Sequence, residues 1–198
     1  MLHPDAELFE SGAGRGLGVR ATALIPAGTI TWTLCHLDRV LSPARLASLP
    51  PAYQPVVRHF AYRDHEGAYV LCWDAARYMN HSCRANTRGV GPWAQVAVRD
   101  IEVGEEITCD YGECNLDEEL ACRCGSPGCR GAVGPADLAR LADGWDLEVR
   151  LACRRARDVD QPLRPFFEHR PSLLVVIEGR APPPSIRSLA CPDAPPAA

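Results

Sequence analysis

Asn80-His81-Ser82-Cys83 places four hydrogen-bonding or metal-binding side chains in a row, a composition that no ordinary buried strand tolerates. Such a row has to face a ligand, a metal or water, or close on itself as an Asx-type turn. It lies within Arg77-Tyr78-Met79-Asn80-His81-Ser82-Cys83-Arg84-Ala85-Asn86. A second segment narrows the choice. Gly104-Glu105-Glu106 opens a turn, Ile107-Thr108-Cys109 begins a strand, and Asp110-Tyr111-Gly112 ends it with a phenol beside a flexible residue. Any fold for this chain has to find a use for both segments.

Further upstream, Gly16-Leu17-Gly18-Val19-Arg20-Ala21 formally fits a GxGxxA dinucleotide fingerprint. That fingerprint needs an apolar strand before it and a helix after it. Here Glu7 to Ser11 is mostly polar and Pro26-Ala27-Gly28 interrupts any helix. The pattern instead predicts a turn feeding a strand over 19–24, a Pro-Gly turn, and a second strand over 29–34.

Taken together, Asn-His-Ser-Cys, Asn86, Gly-Glu-Glu-Ile-Thr-Cys-Asp-Tyr-Gly and the early Gly-Leu-Gly-Val segment resemble the SET-domain protein lysine methyltransferases. The resemblance spans roughly Ser11 to Gly131. It implies a mainly β SET (β-clip) fold of short antiparallel sheets with a knot-like catalytic core. It also implies S-adenosylmethionine as cofactor, held by Gly16, Leu17, Gly18, Arg77, Tyr78, Asn80, His81 and Tyr111, with Tyr111 as the catalytic residue. Ala85 stands where the family often has Pro, a minor departure. Cys109 stands two residues before Tyr111, where many relatives carry Phe or Tyr. The smaller side chain leaves room near the acceptor amine, so methylation need not stop at one methyl group.

Ten cysteines in a chain without a visible export signal point to metal rather than a disulfide scaffold. Cys122-Arg123-Cys124 and Cys129 form a tight CxCxxxxC loop, which supplies three of the four thiolates that structural zinc takes. The fourth is Cys83 or the nearer Cys114. The resemblance implies Cys83, because SET proteins with such a tail draw their fourth ligand from the Asn-His-Ser-Cys motif. His81 is assigned to the cofactor, since thiolates already account for the metal. Four thiolates close the coordination sphere, so the zinc is structural. Cys35, Cys72, Cys109, Cys114, Cys153 and Cys191 are read as free thiols in a reducing compartment.

The basic set consists of 21 residues against 25 acidic ones, and the sequence shows every basic one to be Arg. The resulting net charge of −4 argues against a domain-wide nucleic-acid surface and favours a basic protein partner. Without lysine, the chain cannot methylate its own side chains. No apolar run approaches a membrane span and Met1 to Glu10 is acidic, so the expected location is cytoplasmic, or nuclear in a eukaryotic setting.

The chain divides into a SET domain over 5–112 with an insertion at 38–58, a zinc module over 113–131, a partly helical C-terminal extension over 132–180, and a disordered Pro/Ala-rich tail over 181–198. In the insertion, a short helix over 44–49 is bounded by prolines. Residues 60–63 and 68–74 predict a hairpin whose Tyr62 or Tyr69 is a candidate lining for a lysine channel. Strands are expected over 94–98 and 107–111. In the extension, helices over 138–141 and 147–159 are separated by Asp143-Gly144, and Ser172 to Ile177 reads as a strand.

The function implied is methyl transfer from S-adenosylmethionine to a lysine amine of a histone, histone-like or other basic protein. A reading of a different class is a catalytically silent SET module that binds proteins.

Overall fold

The computed structural model describes residues 1–12 and 14–192. Ala13, inside the glycine-rich turn, and tail residues 193–198 lie outside the described residues. The strands β1 (Ala6–Glu10), β2 (Leu17–Ala21), β3 (Ile30–Thr33) and β4 (Arg39–Leu41) precede two short helices, α1 (Pro43–Ala47) and α2 (Gln54–Phe60). Then come β5 (Ala61–Arg63), β6 (Tyr69–Leu71), β7 (Asn80–His81), β8 (Thr87–Gly89), β9 (Ala94–Ala97) and β10 (Thr108–Cys109). The pair β11 (Leu120–Ala121) and β12 (Ala132–Val133) brackets the cysteine loop, and α3 (Asp137–Arg155), α4 (Arg164–Phe167) and α5 (Pro171–Ile177) follow.

Small antiparallel sheets dominate: β1-β2, β3-β9-β8, β4-β6-β5 and β11-β12. The exception among the described strands is β7 with β10, which run parallel and pair Asn80 with Thr108 and His81 with Cys109. Parallel neighbours need a long crossover, and here β8 and β9 lie within it. Buried Asn86 locks the junction. Its Oδ1 accepts the Thr108 N–H at 2.8 Å, and its Nδ2 donates to the Glu106 carbonyl at 2.9 Å. The two sequence motifs are thus stitched together through backbone groups.

One apolar core joins the β3-β9-β8 sheet to α3, α4 and α5 through Ile30, Val96, Trp145, Val149, Phe167 and Val176. A second, built on Val19, Ile25, Ile101, Ile107 and Met79, lies beneath the motifs. The insertion forms β4, α1 and most of α2 over a small cluster of Leu46, Val57 and Tyr69. Its first helix begins at Ser42, whose hydroxyl accepts the Arg45 N–H.

Three expectations for the C-terminal part are corrected. Helix α3 runs unbroken through Asp143-Gly144. A mid-helix glycine costs about 1 kcal/mol, which the burial of Leu138, Ala142, Trp145, Val149 and Ala152 along one face outweighs. Residues 171–177 are helical because Pro171 occupies the first turn and Leu173, Val176 and Ile177 recur at helical spacing on the buried side. A short run of Leu, Val and Ile does not by itself separate strand from buried helix. The third correction concerns 181–192, which packs onto the domain: Ile186 is buried in the core beside α3. No helix among the described residues is long and apolar enough to cross a membrane.

Candidate active site

Strand β10 delivers Tyr111 to the end of β7. The Tyr111 N–H donates to His81 Nδ1 at 3.1 Å and its hydroxyl donates to the Met79 carbonyl at 3.0 Å, so both ends of the residue are held by the first motif. Burial, with the nearby Cys109, Cys114 and Glu106, raises the phenol above its ordinary range. Tyr111 is therefore a neutral hydrogen-bonding group at any physiological pH. Burial likewise holds the His81 imidazole below its ordinary range, against the pull of Asp110. A neutral His81 that accepts at Nδ1 carries its proton on Nε2, which faces Cys83 Sγ at 3.4 Å.

On the other side of β7, the glycine turn meets Asn80. Asn80 Nδ2 donates to the Leu17 carbonyl at 3.1 Å and to Glu106 Oε1 at 2.8 Å. Glu106 also accepts from the Ser11 hydroxyl and from Arg15. Glycine is required at position 18 by this crowding: an added Cβ would stand 2.5 Å from Glu106 Oε1 and 2.9 Å from Asn80 Nδ2. Gly16, at φ +74°, has open space where a Cβ would project, leaving its backbone approachable by a ligand. Sequence reasoning assigned Glu106 no role, although its place in the Gly-Glu-Glu turn was visible.

A cavity of about 390 Å³ opens beside Tyr111, walled by Trp32, Phe60, Tyr62, Tyr69, Met79 and Cys109 among others. Both candidate channel tyrosines line it. Arg77 lines it too and donates to the Trp73 carbonyl at 2.9 Å, while the Tyr78 ring meets Phe60 edge-on at 5.5 Å and packs in the second core. Gly16, Leu17, Gly18, Asn80 and His81 do not line this cavity.

The cysteine loop folds against the first motif. His81, Cys83, Cys122 and Cys124 offer ligand atoms all within 4.8 Å of one another. Cys129 Sγ lies 3.6 Å from Cys122 Sγ, which is itself 3.6 Å from Cys83 Sγ. Those separations approach the edge of about 3.8 Å in a tetrahedral zinc thiolate site. Backbone N–H groups point at the sulfurs, from Cys83 to Cys124 and from Arg130 to Cys83. Burial raises the Cys124 thiol, but the Cys83 N–H and Ser126 bring it down to about 6, favouring the thiolate. Cys114, the other candidate for fourth ligand, lies in the cavity wall instead.

Arg130, which sequence reasoning also left without a role, ties this loop to the catalytic strand. Its guanidinium binds both oxygens of buried Asp110 at 2.8 and 2.7 Å, and Asp137 at 3.1 Å. Arg88, only 2% exposed, also approaches Asp110, at 3.8 Å, binds Glu113 and Glu148, and lies over the Trp145 ring.

Residues 16–112 match the family model described as SET domain. The chain contains a SET domain. Its two defining motifs are the segments that β7 and β10 bring together, and the match stops short of the cysteine loop. The chain is 31% identical over 147 residues to histone-lysine N-methyltransferase ash1 of Drosophila melanogaster, covering 66% of this chain and 6% of that protein. Identity is 32% over 193 residues to the H3 lysine-36 specific histone-lysine N-methyltransferase of Schizosaccharomyces pombe, covering 81% and 24%. The chain therefore spans less than a quarter of the length of either relative. Among solved structures, KRYPTONITE in complex with mCHG DNA and SAH matches at 25% identity with a TM-score of 0.46, over 64% of this chain and 28% of that one.

Proposed function

We propose that this SET domain transfers a methyl group from S-adenosylmethionine to a lysine amine of a basic protein, a histone or histone-like chain being the favoured acceptor. The observation that carries the reading is the double anchoring of Tyr111, which fixes this residue in the wall of an aromatic cavity. The names of the relatives support a protein lysine as acceptor.

S-adenosylmethionine, when bound, supplies an electrophilic methyl group on a cationic sulfonium. Gly16 presents open backbone for it, and Leu17, Gly18, Arg77, Tyr78, Asn80, His81 and Tyr111 complete the proposed binding set. The acceptor enters from the cavity. A lysine ammonium has a pKa of about 10.4, so roughly one amine in a thousand is neutral near pH 7.4. Walls of Trp32, Phe60 and Tyr62 strip water from the ammonium and favour its neutral form, as does a neighbouring cation. The Tyr111 hydroxyl then orients the amine, a contribution of positioning rather than of base strength.

The cysteine cluster fits structural zinc by its soft donor set, its sulfur spacing and the N–H groups that offset thiolate charge. We assign Cys83, Cys122, Cys124 and Cys129 as ligands. His81 is placed outside the coordination sphere, because a proton on Nε2 leaves that nitrogen without a lone pair for metal. Zinc would bind the loop to β7 and stiffen the strand that holds Tyr111.

The test is incubation of the purified chain with radiolabelled S-adenosylmethionine and core histones. The chain has no lysine, so label on a lysine side chain must sit on an added protein. Label on a histone lysine is the expected result; cofactor binding without transfer to any added protein would indicate the silent module.

A further inference from the structure

Beyond the SET match, Asn115 is held in an unusual state. It is buried, and at φ +50° it is the one non-glycine residue with positive φ among the described residues. Only Gly, Asn and Asp adopt this backbone readily. Its side chain hydrogen-bonds to two separate segments, residues 63–64 and residues 189–191. Nδ2 donates to the Leu189 carbonyl at 2.8 Å and to the Arg63 and Asp64 carbonyls at 3.2 Å each. Oδ1 accepts the Cys191 N–H at 2.9 Å. Cys191 Sγ in turn accepts from Arg63 at 3.7 Å.

The segment tied here, residues 185–191, is anchored at its other end to α3. Asp146 accepts from the Ser185 hydroxyl at 2.7 Å and from the Ile186 N–H at 2.6 Å. Arg187 reaches Asp143 at 2.7 Å and the Ala139 carbonyl at 3.0 Å. Between the anchors, Leu189 presses on β8 so closely that a Cβ on Gly89 would stand 2.7 Å from its Cδ1. Leu189 and Asn115 both line the cavity that Tyr111, Tyr62 and Trp32 line. A chain segment with two polar anchors and an apolar side chain facing a cavity is a wall, and its position sets the width of the space.

We propose that residues 185–191 form the inner wall of the cavity that takes the acceptor's alkyl-ammonium side chain, and that Asn115 is the positioning residue that holds this wall in place. The inference rests on the lysine-transfer reading for the identity of the occupant. The anchoring itself stands on the hydrogen bonds alone. The Asn115 side chain hydrogen-bonds to none of the residues assigned to the cofactor or the metal, so its loss acts on the acceptor side of the reaction.

Asn115→Gly is the cleanest variant, since glycine keeps the left-handed backbone while deleting the amide. Leu189→Ala removes the wall's apolar face and leaves the anchors in place. Hydrogen exchange on the full chain should show residues 185–191 exchanging at least tenfold faster in Asn115→Gly, with the β7–β10 pair unchanged. Unaltered exchange in 185–191 would overturn the anchor. In label-transfer assays each variant should raise the KM for core histones at least fivefold, with the KM for S-adenosylmethionine within twofold of the natural chain. A fall in kcat at constant acceptor KM would overturn the wall. If the natural chain transfers no label, the transfer reading fails separately, and the n-butylammonium ion then serves as the probe. It should slow exchange of residues 185–191 in the natural chain and not in Leu189→Ala; absence of protection in the natural chain would again overturn the wall.

Discussion

His81 Nδ1 accepts the backbone N–H of Tyr111 at 3.1 Å, while the opposite nitrogen of the same ring faces Cys83 Sγ at 3.4 Å. One imidazole therefore links the cysteine cluster to the proposed catalytic residue. The arrangement separates two assignments that share a set of donors. His81→Ala should leave zinc at one ion per chain by elemental analysis while lowering methyl transfer about tenfold or more through loss of positioning. Cys129→Ser should instead lower the zinc content and the melting temperature together. Zinc lost in His81→Ala and retained in Cys129→Ser would exchange their roles.

Glu113 provides a pH signature. Burial raises its carboxyl from 4.5 to about 7, against the lowering effect of Arg88 and the Gly89 N–H. The folded protein thus holds a proton here at a pH where the unfolded chain has released it. This group's contribution to stability is full below about 4.5 and is lost as the pH rises through 7. Asp110 acts with the opposite sign: burial raises it, but Arg130 and Arg88 together bring it below its ordinary value, so its contribution falls away in acid. Glu113→Gln should flatten the decline in stability between pH 5 and 7 in chemical denaturation. An unchanged slope would place the titrating group elsewhere.

Cys109 lines the cavity two residues before Tyr111 and is buried. Cys109→Phe should fill space near the acceptor amine and shift the products towards mono-methyl lysine, read by mass spectrometry of the acceptor. A natural chain that yields mono-methyl product only would contradict the role given to this small side chain.

Gly18 faces Glu106 and Asn80 at distances that leave no room for a methyl group. Gly18→Ala should cost about 1–3 kcal/mol of stability from overpacking and weaken S-adenosylmethionine binding about tenfold by calorimetry. A variant with natural stability and affinity would show that the turn relaxes freely.

Much of the site was legible because it lies in two contiguous, chemically unusual stretches. The Asn-His-Ser-Cys row and the Asp-Tyr-Gly strand end announced themselves as poor core, and β7 and β10 do bring them together. The hairpin was legible from its alternating aromatics, with Tyr62 opposite Val70 as a regular register requires. Long-range polar partners were not legible. Arg130 reaches Asp110 across twenty residues and Asn115 reaches Leu189 across 74, and no local pattern encodes such a distance. The C-terminal helices were misread for a related reason: Gly144 and the run before Ile177 have weak local preferences, and packing on α3's buried face decides their state.

Methyl transfer by Tyr111→Phe tests the central claim most directly. The variant keeps the ring and the His81 hydrogen bond to the backbone and loses only the hydroxyl that meets the Met79 carbonyl. With radiolabelled S-adenosylmethionine and core histones, transfer should fall about a hundredfold while cofactor affinity by calorimetry stays within about threefold. Equal transfer by the two proteins would contradict the account.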